Sequence, residues 1–273
     1  MQYTEMILRS FISKISLWLS CAMLVVFSFQ LTANDGKPVL LYSRYFNAEG
    51  EKRYLPDGSY REILKELKTS FEVRVHAERL TKKTLSDVDV ILISNPSAEP
   101  VEGNPPPAKM TSRDRRQLLR FIRRGGGLII MGNQENHNLE TVQVNKFLNE
   151  FGMQWVDNYT DAKGLQIPQD IPVLGGLKWG YYTGNQIRLT QKTGMSYWTV
   201  PNDLSQAPVN GERDAQGILL AGAGYQKGRF VLVTDSGWIN NTVLEGKGLG
   251  GAVIENDDNL EIMMRLCLWA SGR

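Results

Sequence analysis

Cysteine is scarce in this chain, with two among 273 residues. Cys21 lies within an apolar stretch near the start, so Cys267 is the only cysteine in the remainder of the sequence. A lone thiol cannot form an internal disulfide, which excludes a small secreted module stapled by disulfides. Because Cys267 lies among apolar residues at helical spacing, we expect it to be buried in the core.

A surplus of charge of one sign is also absent. The chain has 31 basic and 29 acidic residues, a formal net charge of +2. Proteins that bind nucleic acid carry a marked basic excess, so we expect no nucleic-acid partner. Only the helix predicted at residues 113–124 is strongly basic, and we interpret its six arginines as a solvated face.

One long apolar run occurs near the start, at residues 15–31, after Arg9 and Lys14. With a small residue at Ala33, this arrangement is typical of a secretory signal peptide. The run also reaches the short end of the range for a membrane-spanning helix, about 17–25 residues. We therefore predict a signal peptide or N-terminal membrane anchor at residues 1–33. The protein is expected to be exported, either periplasmic or secreted, or else tethered to the membrane by residues 15–31.

The remainder, residues 34–273, is long enough for one large domain with its own core. Apolar strands and amphipathic helices alternate in its first half, which indicates a three-layer, mainly parallel sheet. Strands are predicted at residues 38–43, 71–77, 88–94 and 128–131. Helices are predicted after Tyr60, with Ile63, Leu64 and Leu67 as the apolar positions, at 113–124 (capped by Ser112) and at 141–151. Residues 155–216 are predicted to form a loop-rich insertion with a short strand at 186–190, followed by a hairpin (217–222 and 229–234) and a last helix at 258–271.

Three segments resemble the class I glutamine amidotransferase-like superfamily: GGGLIIMGN (125–133), GYQKGRFVLVTDSGWINN (224–241) and NLEIMMRLCLWASG (259–272). The trehalose-utilisation (ThuA-like) branch and related uncharacterised bacterial domains are the most similar. Val173–Leu177 is similar to a further element of these families, with Ile171-Pro172 where they have His-Pro. The resemblance covers residues 38–272 and implies a flavodoxin-like α/β sheet with a loop-rich insertion and a C-terminal hairpin plus helix.

Catalytic amidotransferases of this superfamily use a cysteine at a strand-to-helix elbow, with a histidine and a glutamate later in the chain. The matching elbow here is Met131–Glu135, with Asn133 near the place of the nucleophile. No cysteine stands there, and no histidine follows His137. The resemblance therefore implies that glutamine hydrolysis by the family mechanism is absent.

Polar residues follow several strands at their carboxyl ends, where open α/β sheets bind ligands. We expect a polar crevice there that binds a ligand with no cofactor. The ligand-binding candidates are Ser43, Arg44, Ser94, Asn95, Asn133, Gln134, Ser236, Trp238 and Asn240. Trp238 could stack on a sugar ring, although the same residue types also pack loops and cap helices in most proteins.

If catalysis occurs, the acid and base candidates are Asp235, Glu135 and His137. Glu135 and His137 are too few ligands for a metal, so no metal site is expected. Two functions remain open at this point. The first is a non-catalytic, exported domain that binds a small molecule or an envelope protein; the second is an envelope hydrolase or isomerase that acts on a sugar-like substrate.

Overall fold

The apolar runs of the sequence form strands, and those strands join one mixed sheet. The computed structural model describes residues 36–160, 164–181, 183–202, 217–246 and 258–273. The predicted leader, residues 1–33, lies outside the described residues. Within those ranges, no helix combines the length and the apolar character needed to cross a membrane.

Five strands make the parallel half of the sheet. They are β1 (Val39–Ser43), β2 (Glu72–His76), β3 (Val90–Ser94), β4 (Gly127–Met131) and β11 (Gly228–Val233), in the spatial order β2-β1-β3-β4-β11. The pairs β1–β2, β1–β3, β3–β4 and β4–β11 are all parallel. The carboxyl ends of these five strands therefore lie along the same edge of the sheet, as the sequence predicts.

The second half of the sheet is antiparallel and comes largely from the insertion. Its strands are β5 (Met153–Thr160), β8 (Gly184–Leu189), β9 (Ser196–Pro201) and β10 (Ile218–Tyr225). β10 pairs with β11 as the predicted hairpin, and β8 and β9 pair with β10. Two short strands, β6 (Leu165–Gln166) and β7 (Lys178–Trp179), form a separate ribbon. The sequence analysis missed β5 and β9, so the insertion is more regular than predicted.

Helices cover both faces of the sheet. α1 (Arg61–Leu67) and α5 (Asn259–Ser271) pack on one face, and α2 (Ser112–Arg123) and α3 (Val142–Leu148) pack on the other. α4 (Asn241–Leu244) follows the end of β11. Alternate residues of β1, β3, β4 and β11 point to the two faces, and each face has its own apolar core. Cys267 lies on α5 in the first core and is fully buried, as predicted.

The cap of α2 differs from the prediction by one residue. The side chain of Thr111, not Ser112, accepts a hydrogen bond from the Asp114 backbone N–H, and the Asp114 carboxylate accepts one from the Thr111 N–H. This reciprocal pair is a capping box, with aspartate in the place usually held by glutamate. Both residues are good caps by type, so only the backbone conformation distinguishes them.

We expect Thr111→Ala to lower the free energy of unfolding by about 1 kcal/mol, because it removes the side chain that caps α2. Ser112→Ala is the matched control and should change stability by less than about 0.5 kcal/mol. Chemical denaturation of both variants checks this assignment. A larger loss in the Ser112 variant would place the cap where the sequence analysis put it.

Candidate functional site

The carboxyl edge of the parallel strands brings most of the predicted site residues together. Ser43 pairs in register with His76 on one side and Ile93 on the other, while Ser94 and Val233 both pair with Met131. The candidates that directly end or follow these strands are therefore neighbours: Ser43, Arg44, Ser94, Asn95, Asn133, Gln134 and Ser236. Most are buried, so this edge is a packed polar layer and not an open crevice.

The elbow after β4 holds His137 in one orientation. The Asn133 side-chain oxygen accepts a hydrogen bond from the Gln134 backbone N–H at 2.8 Å, which identifies it as the oxygen. That oxygen and the Gln134 side-chain oxygen lie 3.0 and 2.7 Å from His137 Nδ1. Nδ1 must therefore carry the proton and donate it, which leaves the Nε2 lone pair as an acceptor.

The electrostatic surroundings favour the neutral imidazole. Burial lowers the pKa of His137 below its ordinary value of 6.5, and the positive charge of Arg53 lowers it further, while Glu51 acts in the opposite direction. At neutral pH the ring is thus uncharged and presents Nε2 as a base or hydrogen-bond acceptor. The side chain of Glu135, the other candidate on this turn, lies outside the described atoms.

The pKa shift gives a testable pH dependence. The unfolded chain binds a proton at His137 near pH 6.5, but the folded chain does so only at lower pH, so stability is complete above pH 6.5 and falls as the pH drops below it. NMR titration should give a His137 midpoint below 6.5, and His76→Gln assigns the signals because these are the only two histidines. His137→Gln should weaken the pH dependence of melting between about pH 7 and 5. A midpoint at or above 6.5 would contradict the half-buried position of the ring and the effect of the Arg53 charge on it.

The loop between β1 and α1 supplies residues that the sequence analysis missed. Arg53 forms a two-pronged ion pair with Glu51, with Nη2–Oε2 at 2.5 Å and Nε–Oε1 at 2.9 Å. Glu51 is only 5% exposed, whereas Arg53 is 39% exposed. Hydrogen bonds and the charge of Arg53 lower the pKa of Glu51 despite its burial, so the carboxylate stays ionised. The sequence of this loop has no periodic pattern that indicates its structure. The Glu51–Arg53 pair belongs to the site because the folded loop lies over the sheet edge.

Several predicted ligand residues are occupied by structural hydrogen bonds. Asn95, at a left-handed φ of 43°, donates from its side chain to the His137 carbonyl at 3.0 Å. Ser236 Oγ donates to the Gly132 carbonyl at 2.8 Å. Asn240 caps α4, where its side-chain oxygen accepts from the Thr242 N–H at 3.0 Å. These contacts hold the elbow, the end of β3 and the end of β11 together.

Asp235 and Trp238 have interior positions. Both oxygens of the fully buried Asp235 carboxylate accept from backbone N–H groups, Oδ1 from Gly237 at 2.5 Å and Oδ2 from Thr183 at 3.4 Å. The Trp238 ring is also fully buried and packs edge-on against Trp179, with ring centroids 5.6 Å apart. The expectation that Trp238 stacks on a sugar ring is therefore corrected, because the ring is buried in the core.

Some buried polar atoms at this edge have no hydrogen-bond partner in the part of the chain that the structure describes. Two of them lie at the ends of β1 and β3: Ser43 Oγ and Asn95 Oδ1. Buried polar groups in native proteins are usually hydrogen-bonded to protein or to water. No cluster of three or more metal-ligating side chains occurs among the described residues.

Two solved structures share the fold of this chain, and a third is similar to it over most of its length. The N-terminal domain of mmIFT52 matches 86% of this chain and 98% of its own, with a TM-score of 0.62 and 13% identity. A cytoplasmic protein from Salmonella typhimurium LT2 matches 85% of this chain and 99% of its own, with a TM-score of 0.52 and 12% identity. A ThuA-like protein from Parabacteroides merdae ATCC 43184 is 15% identical over 86% of this chain and 90% of its own, with a TM-score of 0.48.

No protein-family model and no curated protein matches the chain. Identities this low show a shared fold alone. The predicted three-layer α/β fold is confirmed.

Proposed function

We propose that this chain is an exported, non-catalytic amidotransferase-like domain that binds a small polar ligand or an envelope protein at the carboxyl edge of its sheet. The observation that carries the proposal is the hydrogen bonding of Asn133 at the elbow after β4. Asn133 stands where the family has a nucleophile, and its side-chain oxygen is bonded to the Gln134 N–H and His137 Nδ1. An amide held in this way orients a histidine but offers no nucleophile.

The remaining thiol of the domain supports the same conclusion. Cys267 is buried on α5 within the apolar core, and burial raises the pKa of its thiol. A protonated, enclosed thiol is unreactive. The domain from residue 34 onward thus has the fold of an acyl-transfer enzyme without an activated sulfur.

Two groups make the edge suitable for binding. Arg53 is partly exposed and offers a guanidinium donor, and His137 Nε2 offers a neutral acceptor. A donor and an acceptor at one edge fit a small polar molecule that carries both hydroxyl and charged or carbonyl groups, such as a sugar.

A melting-temperature screen against sugars, amino acids and nucleotides tests the proposal. The informative variant is Glu51→Gln with Arg53→Gln, which removes both charges together and leaves no unpaired buried carboxylate. The matched control is Arg61→Gln with Glu62→Gln, an ion pair on α1 at 2.9 Å. A ligand of the carboxyl edge should raise the melting temperature of the wild type and the control but not of the site variant.

Equal stabilisation of both double variants would contradict a site at Arg53. The envelope enzyme that acts on a sugar-like substrate with Asp235, Glu135 and His137 remains the second candidate, because the neutral His137 could act as a base. Consumption of a stabilising compound would favour it.

Export is tested separately: mass spectrometry should find a mature N-terminus near Asn34 if the leader is cleaved, and an intact residue 1–33 segment if it is an anchor.

A further inference from the structure

The exposed face of α2 is a row of arginines. Arg113, Arg116, Arg120 and Arg123 recur at helical spacing and are all exposed. At 3.6 residues per turn they lie within about 80° of the helix circumference and extend over about 15 Å. The opposite side of the helix carries the apolar residues that pack on the sheet.

The described part of the protein does not neutralise these arginines. Arg113, Arg116 and Arg120 have no carboxylate partner in the ranges that the structure describes, and Arg123 donates to the Tyr225 hydroxyl at 2.9 Å. The only acidic residue of the helix, Asp114, is buried and bonded to Arg79 at 3.1 Å. Like charges three and four residues apart destabilise a helix, so the row does not serve the stability of α2.

The basic surface continues past the end of the helix. Arg124 donates to the Leu85 carbonyl at 2.7 Å, which brings α2 next to the turn that carries the exposed Lys82 and Lys83. Glu72 and Asp87 on that side are both paired with Arg74, and the Asp89 carboxylate accepts from the Val39 N–H. We call the set Arg113, Arg116, Arg120, Arg123, Lys82 and Lys83 the α2 basic surface. Its charge is local, because the whole chain carries only +2.

We propose that the α2 basic surface docks on the anionic face of a lipid bilayer. This proposal rests on the export proposed above, because an exported chain with an apolar leader meets a membrane. β1 follows the leader in sequence, and its amino end lies at the same sheet edge as the end of α2. The Val39 N–H donates to the Asp89 carboxylate, and the Asp89 carbonyl accepts from the Gly127 N–H just after α2.

Arginine suits this surface chemically. The guanidinium keeps its charge at every physiological pH and bonds phosphate oxygens in pairs. Each basic residue near an anionic membrane surface adds to binding, and the attraction weakens within a Debye length. Nucleic acid, the other large polyanion, is disfavoured by export and by the balanced charge of the chain.

Vesicle sedimentation tests the proposal. The protein is the chain from Asn34, which contains both cores described above, and the probes are vesicles of phosphatidylcholine with about 40% phosphatidylglycerol and vesicles of phosphatidylcholine alone. We expect binding to the anionic vesicles only, and loss of that binding in about 0.5 M salt. The variant Arg113→Gln, Arg116→Gln, Arg120→Gln should bind about tenfold more weakly or worse, since three membrane-facing charges are lost.

The matched control removes three exposed cations on or next to α1, which packs on the other face of the sheet: Lys52→Gln, Arg61→Gln, Lys65→Gln. Its binding should stay within about twofold of the wild type, and substitution of the three arginines by lysine should restore most of the binding. Equal loss in the two glutamine variants, equal binding to neutral vesicles, or no binding by the wild type would overturn the proposal. The mature N-terminus reports on export independently, so a failure of docking and a failure of export are distinguishable.

Discussion

Replacing Trp238 with alanine is expected to lower the free energy of unfolding by about 3–5 kcal/mol. The ring is fully buried, contacts Trp179 edge-on, and belongs to the core beneath α1 and α5. The Trp238 carbonyl also accepts a hydrogen bond from the Asn259 side chain at 2.7 Å, which ties the end of β11 to the start of α5. Alanine would leave a cavity that these packed neighbours can fill only in part.

Urea denaturation of three variants checks this expectation. Trp269→Ala is the control of the same chemistry, and because Trp269 is only partly buried on α5 its loss should be clearly smaller. Trp238→Phe retains most of the volume and should lose less than the alanine variant. If Trp238→Ala instead kept full stability and abolished binding of a sugar, the ring would face a ligand, as the sequence alone suggested.

Replacing Asp235 with asparagine is expected to cost about 1–3 kcal/mol of stability. Each carboxylate oxygen faces a backbone N–H, from Gly237 and Thr183, so the amide must place its own NH₂ group against one of these donors. The donor left without an acceptor is buried, and that is what makes the loss large. The substitution changes one atom, so packing is otherwise preserved.

Asp87→Asn is the matched control, because Asp87 is an exposed carboxylate in an ion pair with Arg74. Its effect should stay below about 1 kcal/mol, as for other surface ion pairs. Thermal and urea unfolding of the two variants measure the difference. Full stability of the Asp235 variant together with loss of a reaction would instead identify Asp235 as a catalytic acid or base.

The parallel half of the fold is readable from the sequence because its inner strands are short apolar runs between clear turns, while the edge strand β2 alternates polar and apolar residues. β3 and β4 are buried along their whole length, and that burial favours apolar residues at nearly every position. β5 and β9 differ, since polar residues occupy many of their positions and pairing with β8 and β10 determines their conformation. Such strands depend on partners that are distant in sequence, and local pattern does not reveal them.

The candidate site was predictable only in its location. Residues that end parallel strands must meet at one edge, so Ser94, Asn133 and Ser236 could be grouped without a structure. The Glu51–Arg53 pair could not, because a loop without periodicity brings it over that edge. The roles of Asp235 and Trp238 were also hidden, since burial and backbone contacts depend on how the chain packs after β11.

Proton NMR most directly tests whether the carboxyl edge binds a ligand without transforming it. A compound that stabilises the protein is incubated with an equal amount of the chain from Asn34. We expect the lines of the compound to broaden, this broadening to be lost in the Glu51→Gln, Arg53→Gln variant, and the compound spectrum to be unchanged after a day. Conversion of the compound by the wild type, abolished by His137→Gln, would contradict non-catalytic binding and identify an enzyme.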